Sequence, residues 1–437
     1  MSDILLIGAA RSGIAAARLL NKQGNHVILT DMKSIDQKEQ LEQEGIEVYD
    51  NGHPEFLKEK EYDFIVKNPG IPYKAPLVKF FQEKQVPIYT EIETAYQAAP
   101  NFSYGAVTGT DGKTTITTLL HEMLKKKNPN AFAAGNIGTP LSEAVLQLKD
   151  EPADIALELS NFQLLGIDQF HPHVSLVSNL APDHLDYMDS LEDYYKSKFE
   201  IYRNCTKDDY FIRNIDDEQI VKYAQNVPAS VIDFSLKDSS ADLRVEDEMV
   251  KLWDTVLFDP KELKLVGDFN LGNAMMAAAT AYLMGVSIED IQSVIREFPG
   301  VEHRIEYVGE INGVRIYNDS KATNTHSAQA ALSSFDGNVI LLCGGKNKGI
   351  DYTVLCEFDS RIKHCFSFGE IRDIFREIFT NQTSVETMEQ ALDEALKIAQ
   401  PKDVILLCPA TSSFDQFKNY EVRGEIFKEL VKERMVA

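Results

Sequence analysis

Three times along this chain a short, unbroken apolar run stops at a glycine turn and hands over to helical spacing. DILLI is followed by GAARSG and then SGIAAARLL. YGAVT is followed by GTDGKTT and then TTITTLLHEML. NVILLCGG opens the third stretch, with HCFSFG and DVILLCPA after it. Strands that are apolar on both faces belong in parallel sheets covered on both sides, and parallel neighbours need a crossover helix. The alternation therefore predicts α/β units. HVILT, ending at Asp31, with YDFIV and VPIYT, completes a first unit that runs to about Ile92. A second unit starts near Phe102 and adds ADIALEL and HVSLVSNL as buried strands, with GDFNLGNAMMAAATAYLMG as a glycine-bounded helix. Residues 205–265 read as short mixed strands and polar turns. A third unit starts near Gly300. A chain of 437 residues has room for two or three domains, and no internal repeat or low-complexity tract interrupts them.

Composition excludes several functions. With 44% apolar and 26% charged residues the chain is a globular one. Its net charge of -24 argues against a nucleic-acid partner and against docking on anionic lipid. A local positive pocket for a small anionic substrate remains compatible with that surface. The five cysteines form no C-x-x-C pair and read as free thiols in a reducing compartment. The opening MSDILLIG has no cationic lead and reads as a first strand, not a signal peptide. No apolar run approaches the ~18 residues of a membrane span.

The chemistry concentrates in a few motifs. A strand, a glycine turn and a helix start present backbone amides and a helix dipole to phosphate. In GTDGKTT, Lys113 would reach the β- and γ-phosphates and the Thr114 hydroxyl would ligate Mg²⁺. The usual loop, G-x-x-x-x-G-K-[ST], places its first glycine where this chain has Val107; here the glycine is Gly109. Glu158, in LELSNFQL, lies near the end of an apolar strand, the edge where α/β sheets bind ligands. A carboxylate there suits Mg²⁺, or simply faces water. His184, between Asp183 and Asp186, can bind metal and orient phosphate, or is a loop histidine with acidic neighbours. Lys198, taken alone, is a helix lysine in solvent. Gly8, Gly13 and Asp31 form an imperfect dinucleotide fingerprint, with Ala10 where a glycine belongs. An NAD-dependent oxidoreductase would use it, but leaves Lys113 and the C-terminal half unexplained. NDSKATN (318–324) and ATSSFDQFKNY (410–420) can recognise a small polar substrate, and Lys348 in GGKNKG puts a cation beside a glycine turn.

GTDGKTT, LELSNFQL, NLAPDHLD, KSKFEIY, GDFNLGNAMMA, EHR, NDSKATN and SFDQFKNY also occur in the order and spacing of the Mur ligases. The chain resembles that family from Gly8 to its C-terminal helix. The family's ATP loop is the shortened form G-[TS]-x-G-K-[TS]-[TS]. NDSKATN and SFDQFKNYE resemble the D-glutamate-adding members; the D-N-P-R motif of the diamino-acid-adding members is not in the sequence. The resemblance implies a three-domain α/β protein. A Rossmann-like N-terminal domain (1–93) would bind the UDP-substrate. A central P-loop-type ATPase domain with a mostly parallel sheet (94–299) would bind ATP. A C-terminal Rossmann-like domain (300–437) would bind the amino acid.

The implied activity is ATP-dependent C–N ligation through an acyl phosphate. It joins D-glutamate to UDP-N-acetylmuramoyl-L-alanine, for peptidoglycan precursors, in a cytoplasmic monomer. Another Mur ligase or a folylpolyglutamate-type ligase is the alternative. By the same resemblance, Gly109, Thr110, Asp111, Gly112, Lys113, Thr114 and Thr115 hold phosphates. Asn270, Asn273, Arg304 and Asp319 border ATP. Thr114, Glu158, His184 and Lys198, as a carbamate formed with CO₂, serve two Mg²⁺ ions. Lys113, Glu158, His184 and Lys198 are the implied catalytic set. Arg11, Ser12, Asp31, Asn68, Asn136 and His184 face the UDP-sugar. Lys321, Thr323, Lys348, Ser413, Phe414 and Tyr420 frame D-glutamate. Two positions depart from the pattern. Asp111 stands where Asn or His is common, and Asn161 where a serine is common. They keep a non-catalytic nucleotide-binding scaffold open.

Overall fold

The apolar runs become the centres of three sheets in the structure, a computed structural model that describes residues 1–148, 151–181 and 190–436. The chain divides into two compact units, one of Met1–Asp259 with Asn273–Val294 and one of Pro260–Gly272 with Ile295 onward.

The first unit holds two sheets. The N-terminal one has five parallel strands, in the spatial order Glu47–Tyr49, His26–Thr30, Asp3–Ile7, Phe64–Lys67, Ile88–Tyr89. Chain order reverses beside Asp3–Ile7, and the ligand crevice of such a sheet lies at that reversal, beyond the strands' C-terminal ends. The second sheet has nine strands. Ser103–Thr108 lies between Asp154–Glu158 and Val174–Val177, all parallel, again at a reversal. The hairpin of Met249–Leu252 and Thr255–Phe258 closes the far edge antiparallel. The helix Lys113–Lys127 covers this sheet because Ile116, Leu119, Leu120, Met123 and Leu124 recur at helical spacing and are all buried. Burying each of these large side chains stabilises by roughly 1.5–3 kcal/mol. The helix Glu91–Ala98 packs against both Arg11–Lys22 and Leu141–Leu148.

The second unit is built on six strands. Val314–Asn318, Val404–Leu407 and Val339–Gly344 are parallel neighbours, and Glu306–Ile311 adds an antiparallel edge. The loops after these three strands carry NDSKATN, ATSSFDQFKNY and GGKNKG, so topology brings all three motifs to one sheet edge.

Candidate active site

Gly109 and Gly112 have φ of +143° and +79°, a conformation that suits glycine. Side chains would not fit either: one at Gly109 would meet Ser178, and one at Gly112 would meet Asn273. Between them the loop is pinned from the next strand's end. The Ser178 hydroxyl and the Asn179 amide donate to the Asp111 carbonyl at 2.6 and 3.1 Å, and the Asp111 amide donates to Asn179 Oδ1 at 2.9 Å. The Asp111 side chain is exposed. No side chain caps the helix that begins at Lys113, so its first amides point at the space a phosphate would fill.

Two ammonium groups converge on this loop. Lys113 Nζ donates to the carbonyls of Gly109 and Thr110 at 2.9 and 2.7 Å. Lys198, at the end of the helix Leu191–Lys198, donates to the same Gly109 carbonyl at 2.9 Å. It is 2% exposed and lies 4.4 Å from the centroid of the Tyr194 ring. The simple reading of Lys198 as a solvent-facing lysine is therefore overturned: its helix turns it into the protein, against the glycine loop.

Glu158 ends the strand beside the loop, in register with Val107. It is buried. Oε1 accepts from Asn136 Nδ2 at 2.8 Å, while Oε2 has no hydrogen-bond partner among the described residues. An orphaned carboxylate oxygen at a phosphate loop is the donor a hard divalent cation takes. The residues present thus fit Mg²⁺. Asn161, also buried, has an amide nitrogen without a partner among the described residues, on a short turn capped by Ser160 and Gln163. His184 lies outside the described residues.

The residues expected at the UDP-sugar assemble around the first glycine turn. Asn68 Nδ2 donates to Ser12 Oγ at 3.1 Å. The Asp31 carboxylate accepts from the amides of Ala9 and Lys33 at 2.7 and 2.8 Å, so it holds the turn's backbone. Arg11 reaches the Gly138 carbonyl at 2.8 Å, two residues past Asn136. Asn136, bonded to Glu158, connects this group to the phosphate loop.

Of the residues expected at ATP, Asn273 is in the first unit, against Gly112, while Asn270, Arg304 and Asp319 are in the second. Asp319 is buried, accepts from the Ile305 amide at 3.2 Å, and its pKa is raised to about 7 by burial, which the Ile305 bond and the nearby Arg304 charge offset only partly. The residues expected at D-glutamate also gather in the second unit. Lys348 Nζ donates to the Thr323 carbonyl at 3.0 Å, and Lys321 Nζ sits 5.9 Å from the Tyr420 ring centroid. Ser413 is buried; Phe414 is 68% exposed, unusual for so large an apolar side chain.

Sequence reasoning missed the residue that ties these loops together. Arg423 is fully buried. It donates to Ser320 Oγ and the Ser320 carbonyl at 2.9 and 2.8 Å and to the Thr411 carbonyl at 3.3 Å, joining NDSKATN to ATSSFDQFKNY. The only sequence signal was a charge between apolar positions of the last helix.

Residues 107–281 match the Mur ligase middle domain, and residues 303–411 match the Mur ligase glutamate ligase domain. Over 97% of its length the chain is 41% identical to a UDP-N-acetylmuramoylalanine–D-glutamate ligase of Geobacillus kaustophilus, covering 96% of it. It is 40% identical to the enzyme of the same name from Exiguobacterium sibiricum, over 97% of this chain and 95% of that one. The chain belongs to the Mur ligase family. Two solved Mur ligases share the fold at low identity. Against UDP-N-acetylmuramate-alanine ligase MurC from Thermotoga maritima the TM-score is 0.57, at 18% identity over 99% of this chain and all of that one. Against MurF from Acinetobacter baumannii it is 0.58, at 16% identity over 99% and 93%. As in those Mur ligases, the framework is α/β with mostly parallel sheets in three domains. No helix among the described residues is long and apolar enough to cross a membrane.

Proposed function

We propose that this chain is a UDP-N-acetylmuramoyl-L-alanine:D-glutamate ligase that couples cleavage of ATP to ADP and phosphate to formation of the amide bond. The observation that carries the reading is the meeting of Lys113 and Lys198 on the Gly109 carbonyl, beside the unpaired oxygen of Glu158. Names of relatives near 40% identity give the substrates. Residues 1–93 would bind the UDP-substrate, 94–299 ATP and 300–437 D-glutamate, each around its own sheet. The protein would work as a cytoplasmic monomer.

A carboxylate is a poor acyl donor. Its oxygen attacks the γ-phosphorus of ATP, ADP leaves, and the acyl phosphate gains a good leaving group. The amine of D-glutamate then adds to the acyl carbon, phosphate departs, and the amine gives up a proton. Lys113, released from its loop carbonyls, neutralises charge on the transferring phosphoryl group. The uncapped helix start and the pinned 109–112 backbone orient the phosphates. Thr114 and Glu158 would hold Mg²⁺, with His184 at a second ion; the metal supplies charge neutralisation on the phosphates. Lys198 as an ammonium repels a cation, whereas CO₂ added to its neutral amine would make it an anionic oxygen ligand. In the second unit, the Lys348 ammonium would take a carboxylate of D-glutamate as a point charge, and Arg423 keeps the flanking loops in register.

The test is phosphate release from ATP with UDP-N-acetylmuramoyl-L-alanine, Mg²⁺ and a panel of amino acids. Release with D-glutamate alone is the expected result. Release with a different amino acid would move the chain to a sister activity, and none at all would leave only a nucleotide-binding scaffold.

A further inference from the structure

A buried cation lies beneath the reversal crevice of the N-terminal sheet, and no motif announces it. Lys67 is the last residue of the strand Phe64–Lys67 and is 0% exposed. Its Nζ donates to the Ile71 carbonyl at 2.7 Å and reaches those of Asn68 and Pro69 at 3.3 and 3.5 Å. It also lies 4.7 Å from the centroid of the Tyr73 ring. Among the described residues no carboxylate pairs with it, and burial alone lowers its pKa to about 8. A buried charge without a counter-ion is costly, and carbonyls and a ring face offset only part of the penalty. A buried ionisable group with a perturbed pKa beside a crevice is a mark of a functional site, and a cation there suits an anion.

Its position says which anion. Lys67 is in register with Ile7, so the loop 68–71 and the glycine turn 8–13 form the two walls of the crevice. Lys67 ties down the first wall. Asn68, on that wall, bonds Ser12 on the second and packs so tightly on Gly8 that any side chain there would overlap it. Tyr73, under the ammonium, donates to the Leu165 carbonyl at 3.1 Å and anchors the assembly to the central sheet's module.

We propose that Lys67 is a positioning residue for the diphosphate of the nucleotide-sugar: it shapes the 68–71 wall and supplies the buried positive charge that the diphosphate neutralises. This rests on the proposed function, so wild-type turnover is measured first; its absence would sink that reading, not this one. With turnover in hand, Lys67→Met is compared with wild type in all three substrates. The expected result is a KM for UDP-N-acetylmuramoyl-L-alanine raised tenfold or more, with kcat and the KM values for ATP and D-glutamate within twofold. Lys67→Gln, which can still donate to the carbonyls but carries no charge, should fall between the two. An unchanged nucleotide-sugar KM in folded Lys67→Met overturns the proposal. So does a parallel loss of kcat, all three KM values and melting cooperativity, which is what a residue of the fold alone would give. Should Lys67→Met not fold, the same split is read on Lys67→Gln.

Discussion

The glycine turns at 8–13 and 109–115 occupy equivalent places and are built differently. Each follows the strand at which its sheet reverses, and each leads into a helix that no side chain caps. In the turn at 109–115 the cation belongs to the motif: Lys113 folds back on the loop, with Lys198 beside it. In the turn at 8–13 the motif holds no buried cation, and Asp31 takes up the Ala9 amide. The charge comes instead from Lys67, on a strand more than fifty residues away in sequence. Both turns suit phosphate groups by backbone geometry. Only the second carries its electrostatics where a sequence reader looks.

If this difference is functional, the two turns should fail differently. The largest effect is expected at Lys113. Lys113→Ala should lower kcat/KM by about 10³-fold, roughly 4 kcal/mol of transition-state stabilisation, with the nucleotide-sugar KM unchanged. A change confined to that KM would show that the two turns do not divide the work as proposed. Lys198→Ala should lose on the order of 10²-fold or more, and acetate with bicarbonate should restore part of it if an anionic oxygen is what the site lacks. Full activity in the variant would remove Lys198 from the chemistry.

The glycines test the scaffold under each turn. A methyl at Gly109 meets Ser178 at a φ of +143°; one at Gly13 meets the Gly8 carbonyl. Gly109→Ala and Gly13→Ala should each cost about 3 kcal/mol in urea unfolding through overpacking. Their kinetic signatures should part, with ATP affinity falling in the first and nucleotide-sugar affinity in the second. The same signature in both would mean that the turns behave as one site.

The alternation of apolar strands and helices was legible because it is a local pattern, and so was GTDGKTT, whose parts are contiguous. The strand Ala131–Gly135 was not read out, since AFAAG has little of the β-branched and aromatic signature. Glu47–Tyr49 and Glu306–Ile311 were hidden by polar residues at sheet edges, and Val314–Asn318, inside its sheet, by a short run broken by Arg315. At the site, residue type was readable and burial was not. Lys67, Lys198 and Arg423 look like surface charges in sequence and are all buried, because only the assembled sheets decide which way a strand end or helix face points. Asp111 departs from the family's pattern, yet the loop is held through its backbone and its side chain is exposed.

The helix Glu91–Ala98 packs on Arg11–Lys22, which follows the first turn, and on Leu141–Leu148, and its carboxylates give the smallest effect. Glu93 is buried but accepts from the amides of Asp168, Gln169 and Phe170. Glu91 accepts from the Ser142 amide through one oxygen, and its other oxygen has no partner among the described residues. Burial raises the Glu91 pKa from the ordinary 4.5 to about 7, against the pull of Ser142. A raised folded-state pKa means the folded protein prefers the protonated acid. That contribution is fully present below about pH 4.5 and fades as pH rises through 7. Between pH 5.5 and 8 the wild type should therefore lose about 2 kcal/mol relative to Glu91→Gln, which keeps the acceptor and does not titrate. Urea melts at the two pH values measure the difference. If the loss appears, the buried Glu91 carboxyl holds its proton well above the ordinary carboxylate range. Parallel melts would show that Glu91 ionises as an ordinary carboxylate.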